Sequence, residues 1–170
     1  MKILVVVDMQ KDFIDGALGT PEAQAIVPNV IEKINKYKAD REAIIYTADT
    51  HGEDYLNTIE GQKLPVPHCI KGTDGWNIPE AILQNGHILG KTTFGCADLP
   101  KYIHTNCYHL EGIEVIGLCT DICVISNVML LKAYFPNTPI VVDSSCCAGV
   151  TPESHTRALE AMKMCQIEVV

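Results

Sequence analysis

Ile3-Leu4-Val5-Val6-Val7-Asp8 decides the fold: an unbroken aliphatic run that ends on an acid. A strand with one face in water would alternate, whereas a continuous run reads as a strand buried on both faces, the pattern of a parallel sheet covered by helices. Similar short runs recur at Ala43–Thr47, His87–Leu89, Glu114–Leu118 and Ile140–Val142, with a last one at Ile167–Val170. Between them the apolar positions take a helical period. It runs over Ile26 to Tyr37 (Ile26, Val27, Val30, Ile31, Ile34), Asp121 to Tyr134, and Thr151 to Met164, where Thr151 suits the N-cap and Pro152 the first turn. Strands alternating with helices predict an α/β fold, a three-layer doubly wound sheet of about six mostly parallel strands with helices on both faces. With no repeat, linker or charge block, residues 1–170 are expected to form a single domain.

The 13 Lys and Arg are outnumbered by 21 Asp and Glu, for a formal net charge of −8, which argues against a nucleic-acid-binding surface. Asp8 stops the first apolar run far short of the ~20 residues that span a bilayer and before a signal-peptide core can form. A soluble, cytoplasmic protein is expected. In a reducing compartment the eight cysteines stay free, and with no Cys-x-x-Cys pair a zinc ribbon or redox motif is not indicated. A reactive cysteine must then be found from its surroundings.

In an open parallel sheet, ligands bind beyond the carboxyl ends of the strands. The first strand delivers Asp8, the second Asp49 and His51, the third Lys91, and the fourth runs into Thr120-Asp121-Ile122-Cys123. Asp8, at the rim of an apolar core, suits a tunable general acid or base, or else caps a turn. Asp12 reads as a structural turn residue. With Thr120 as helix N-cap, Cys123 falls in the first turn, where free amides and the helix dipole favour a thiolate and can hold an oxyanion; packing is the competing role. Lys91, just beyond Gly90, can place a charge beside Asp8 and Cys123, or lie on the surface.

Asp49 and His51 project to the same side of an extended segment, and His68 can close on them from the Pro-bounded loop. One carboxylate and two imidazoles suit one divalent metal, zinc before iron or manganese, with positions left open for water or substrate. Glu60, Glu53 and Asp54 are further candidate ligands, while His87, His104, His109 and His155 read as surface or structural. The stretch from Asp49 to Trp76 has neither period, and a loop of that length points to function.

Taken together, Val7-Asp8-Met9-Gln10-Lys11-Asp12-Phe13, Asp49-Thr50-His51, Pro67-His68-Cys69-Ile70-Lys71-Gly72-Thr73, Gly90-Lys91 and Gly117-Leu118-Cys119-Thr120-Asp121-Ile122-Cys123-Val124 resemble the isochorismatase-like cysteine hydrolases, and within them the nicotinamidase/pyrazinamidase branch. The resemblance spans essentially the whole chain. It implies a triad of Asp8, Lys91 and Cys123, metal ligands Asp49, His51 and His68, a cis peptide before Cys119, and an oxyanion hole from the amides of Cys119 and Cys123. It implies hydrolysis of nicotinamide to nicotinate and ammonia through a Cys123 thioester, with another small amide or a carbamoyl compound as the alternative substrate. Metal-free isochorismatases lack both the ligands and the nucleophile, so the chain does not follow that branch. Where relatives commonly carry a Trp before Pro-x-His, this chain has Leu64-Pro65-Val66-Pro67, which leaves Phe13 as the expected aromatic wall. The expected partners are a small-molecule amide and further copies of the chain in a homo-oligomer, with neither nucleic acid nor membrane. Two readings from other classes compete. An aspartyl phosphatase would need an acid where Gln10 stands, and a non-catalytic scaffold would leave Cys123 inert.

Overall fold

The computed structural model describes residues 1–170. Along the chain run β1 (Lys2–Val7), α1 (Lys11–Ile14), α2 (Pro21–Ala25), α3 (Val27–Ala39), β2 (Ala43–Asp49), α4 (Ile59–Lys63) and β3 (His87–Lys91). They are followed by α5 (Asp98–Asn106), β4 (Gly112–Leu118), a π-helical turn (Thr120–Val124), α6 (Ile125–Tyr134), β5 (Ile140–Ala148), α7 (Pro152–Met164) and β6 (Glu168–Val169). The six strands lie in the order β3-β2-β1-β4-β5-β6, and every neighbouring pair is parallel. No helix is long and apolar enough to cross a membrane.

The reason for the unbroken apolar run is visible in β1. Ile3, Val5 and Val7 pack into a core with Leu99 and Ile103 of α5, Val128 and Leu131 of α6, and Leu159 and Met162 of α7. Leu4 and Val6 point the other way, into a second core with Phe13 of α1, Ala23 of α2 and Val30 and Ile34 of α3. Side chains alternate sides, but both sides are buried. Gly117 of β4, at φ +119°, lies so close to β1 that a Cβ there would stand 2.1 Å from Val7 O, so only glycine lets the two central strands meet at their carboxyl ends.

Two sequence expectations need correction. β5 continues to Ala148 rather than ending at Val142, because its pairing with β4 slips between Val115 and Gly117 and the extra residues bulge out. Asp143 satisfies that bulge by accepting from Ser145 N at 2.9 Å and Ser145 Oγ at 2.7 Å, while Lys33 sits 2.8 Å from its other oxygen. The polar residues after Val142 form a bulge with its hydrogen bonds met. Thr120 does not cap a helix. Cys119 O accepts from both Ile122 N at 3.1 Å and Val124 N at 3.0 Å, the second bond widening the turn to π geometry, and the Thr120 hydroxyl faces His155 Nδ1 at 2.8 Å. His155 thus holds a structural place, as expected. At α7 the expectation is met: Thr151 Oγ1 accepts from Ser154 N and Ser154 Oγ accepts from Thr151 N.

Candidate active site

Parallel pairing puts four strand ends on one edge of the sheet, and the order β3-β2-β1-β4 makes them neighbours. Chain direction reverses its spread between β1 and β4, the crevice where open α/β sheets bind ligands. Asp8 follows β1 at φ 47°, Asp49 closes β2, Lys91 closes β3 directly opposite Asp49, and Cys119 opens the turn after β4. The Leu118–Cys119 peptide is cis.

Lys91 joins these ends. Its Nζ lies 2.7 Å from Asp8 Oδ2, 3.1 Å from Asp49 Oδ1 and 3.6 Å from Cys123 Sγ. Asp8 is fully buried; Oδ1 accepts from Thr47 Oγ1 at 2.7 Å, while Oδ2 has the Lys91 charge beside it but no well-aligned hydrogen bond of its own. Burial pushes the Asp8 carboxyl up, against the pull of Lys91 and Thr47. Burial and the nearby Asp8 charge likewise push the Cys123 thiol well above its usual value. At 5% exposure this cysteine is buried, with its sulfur facing the Lys91 ammonium at 3.6 Å. Burial alone would lower the Lys91 pKa, but Asp8, Cys123 and Asp49 outweigh it and keep the ammonium charged.

Beside this triad, Asp49, His51, Glu60 and His68 offer ligand atoms that all lie within 4.8 Å of one another. His51 Nε2 and His68 Nε2 stand 2.8 and 3.5 Å from Asp49 Oδ2, and 3.6 and 3.8 Å from Glu60 Oε1. His68 Nδ1 donates to Val66 O at 2.8 Å, which fixes the ring so that Nε2 faces Asp49 and Glu60. Burial would raise Asp49, yet hydrogen bonds from both histidines and the Lys91 charge hold it well below the usual carboxylate range. The donor set fits a divalent cation. Glu53 and Asp54 are exposed and outside the cluster. His87 stacks on Tyr102 with ring centroids 4.2 Å apart, and His104 and His109 are exposed, away from the site.

Three residues that the sequence reading gave no role hold this arrangement. The buried Gln10 carboxamide accepts from Asp49 N at 2.7 Å and donates to Asp49 O and Trp76 O, both at 2.8 Å, fixing the backbone of one candidate ligand from both sides. Tyr55, its hydroxyl donating to Leu64 O at 2.9 Å, sets its ring 4.7 Å from His51 and 5.0 Å from His68. Phe94 is the third. It lines, with Phe13, Cys123, Asp49, Glu60 and His68, a cavity of about 310 Å³ whose remaining walls are mostly apolar. Phe13 enters that cavity from the layer of α1 to α3, and Phe94 from the loop that leads to α5 in the opposite layer. Leu64 occupies part of the wall as well. Asp12, expected to be structural, accepts from Cys69 N at 2.8 Å and so anchors the chain next to His68.

The sequence profile of the isochorismatase domain matches residues 2–170. The nicotinamidase/pyrazinamidase of Mycobacterium tuberculosis is 26% identical over an alignment that takes in all of this chain and 98% of that protein. Among solved structures, the pyrazinamidase of Pyrococcus horikoshii in complex with zinc superposes with a TM-score of 0.86 at 28% identity, covering 99% of this chain and 98% of that one. The N-carbamoylsarcosine amidase of Thermoplasma acidophilum gives a TM-score of 0.81 at 26% identity, over 99% and 94% of the two chains. With a lysine-bridged aspartate and cysteine beside a carboxylate and imidazole cluster, and with a profile match along its length, the chain belongs to the isochorismatase domain family.

Proposed function

We propose that the protein is a metal-dependent cysteine amidohydrolase whose substrate is a small neutral pyridine or pyrazine carboxamide, nicotinamide first. The observation that carries this reading is a single cavity bounded by Cys123 at one place, by Asp49, Glu60 and His68 at another, and by apolar and aromatic walls between them. One planar molecule can present a carbonyl to the thiol and a ring nitrogen to the cluster at the same time.

Asp8 takes the proton of Cys123, and the sulfur attacks the carboxamide carbon while the C=O electron pair moves onto oxygen. The amides of Cys119 and Cys123 receive that charge; both residues line the cavity. As the tetrahedral adduct collapses, protonated Asp8 gives its proton to the departing nitrogen, the C–N bond breaks and ammonia leaves a thioester. Asp8 then deprotonates water, which attacks the thioester; the C–S bond breaks and the thiol is restored. Lys91 keeps Asp8 ionised between these transfers and holds it against the sulfur. Asp49, His51 and His68, with Glu60, would hold zinc, as the Pyrococcus relative does, and the ion when bound supplies a Lewis-acid site that orients the ring nitrogen.

A carbamoyl amino acid is the second reading, raised by the Thermoplasma relative. Such a substrate carries a carboxylate, yet the cavity lining contains Asp49 and Glu60 and no Lys or Arg, while Lys91 is already engaged by two carboxylates. The charge of the cavity favours the neutral amide. Ammonia release from nicotinamide, pyrazinamide and an N-carbamoyl amino acid, by the wild type and by Cys123→Ala, tests the reading. Turnover of nicotinamide that vanishes in the variant supports it, and preference for the carboxylated substrate would replace it.

A further inference from the structure

Asn127 is a polar residue, fully buried, on the face of α6 that also buries Val128 and Leu131. Burying a carboxamide is costly unless every group is paired. Here all are: Nδ2 donates to Cys123 O at 2.8 Å and to Phe94 O at 3.3 Å, and Oδ1 accepts from Cys96 N at 2.8 Å. The amide orientation is fixed by these partners, since a flip would face oxygen toward two carbonyls and NH₂ toward an N–H. One side chain thus ties the residue that carries the thiol to the loop that carries the second aromatic wall.

The rest of that loop depends on the tie. Gly95, between the two bonded residues, lies flat on α6, with room for a Cβ only 2.7 Å from Leu130 Cδ1 and 3.6 Å from Ser126 Cβ. The Phe94 ring is 43% exposed and has no polar group to anchor it, so its place over the cavity is set by its backbone. At its other end the loop starts from Lys91, which is clamped by Asp8 and Asp49. Lys91, Phe94, Cys96, Asn127 and Cys123 therefore close a circuit that returns through the 3.6 Å approach of Cys123 Sγ to Lys91 Nζ.

We propose that Asn127 is a positioning residue that sets the width of the substrate slot, holding Phe94 at a fixed distance from the nucleophile and so selecting planar aromatic amides over aliphatic ones. This rests on the amidohydrolase reading above. Asn127→Thr separates the two halves of the role: a threonine hydroxyl can still bond the carbonyl one turn back, at Cys123, but is too short to reach Phe94 or Cys96.

The expected result is a KM for nicotinamide raised about threefold to tenfold, the worth of one aromatic contact, with kcat changed far less and the preference for nicotinamide over isobutyramide reduced. Phe94→Ala should show the same KM rise, and the double variant no further rise, because both act through one ring. KM effects that multiply in the double variant, or a loss confined to kcat, would overturn the proposal. Hydrogen exchange on the wild-type protein tests it without any substitution: the Cys96 amide should be protected like the amides of α6, and exchange at the rate of an open loop would overturn it. Absence of wild-type turnover on nicotinamide overturns the functional reading and this inference with it, whereas turnover with multiplying effects overturns this inference alone.

Discussion

Lys91 Nζ stands 3.1 Å from Asp49 Oδ1 while its other contacts are to Asp8 and Cys123, so the proposed nucleophilic half of the site and the proposed cation-binding half share one ammonium. Lys91→Met should therefore damage both. It leaves the buried Asp8 carboxylate without a counter-charge and takes one from Asp49, a loss of about 3–5 kcal/mol for a broken buried pair. The expected outcome is a lower Tm, no measurable turnover and weaker metal retention. A variant that loses turnover but keeps wild-type stability and metal content would show the two halves to be independent.

Asp8 must be ionised to take the thiol proton, and burial raises its pKa. Activity should accordingly fall as pH drops through a value above the ordinary carboxylate range of ~4. Thr47→Val removes a hydroxyl that donates to Asp8 Oδ1 and favours the ionised form. Its acid limb should move to higher pH. The kcat/KM pH profile of the two proteins checks this, and an unmoved limb would take Asp8 out of the role of base.

Metal content should separate the cluster's members. His51→Ala and His68→Ala each remove an inward nitrogen and should purify without stoichiometric metal. Glu60→Gln keeps a carbonyl oxygen in place and should retain metal with affinity reduced about 10- to 100-fold. Elemental analysis after dialysis against a graded chelator reads both, and full occupancy in the histidine variants would refute the site.

Benzamide presents the same carbonyl to Cys123 but no ring nitrogen to the cluster. It should be a much poorer substrate than nicotinamide, with pyrazinamide close to nicotinamide. Steady-state kinetics on the three decide the matter; equal turnover of benzamide would mean that the cluster does not read the ring.

Most of the sheet was legible because burial on both faces leaves an unmistakable apolar run, and Asp8, Lys91 and Cys123 were legible because a parallel sheet delivers strand ends to one edge. The bulge in β5 was not, since Asp143 and Ser145 satisfy each other only in three dimensions. Gln10, Tyr55 and Asn127 share that property: each acts through backbone atoms or rings 4 to 66 positions away, and spacing carries no trace of it. Phe94 stands in a short loop without periodicity, three positions after Lys91, where spacing gives no sign of what its ring faces. α5 escaped notice because Pro100 sits in its first turn, a place where proline is tolerated but interrupts the apolar pattern.

The strand order has a consequence for how the molecule comes together. β1 is central, yet its two neighbours are β2, ending at Asp49, and β4, which starts only at Gly112. Pairing across so much intervening chain is paid in loop entropy and slows folding. A partly folded chain can pair β1, β2 and β3, bringing Asp8, Asp49 and Lys91 to one edge, before β4 docks and carries Cys123 into place. An intermediate that lacks β4 therefore has Asp8, Asp49 and Lys91 on one edge but not Cys123, and the proposed triad exists only once the fourth strand has docked.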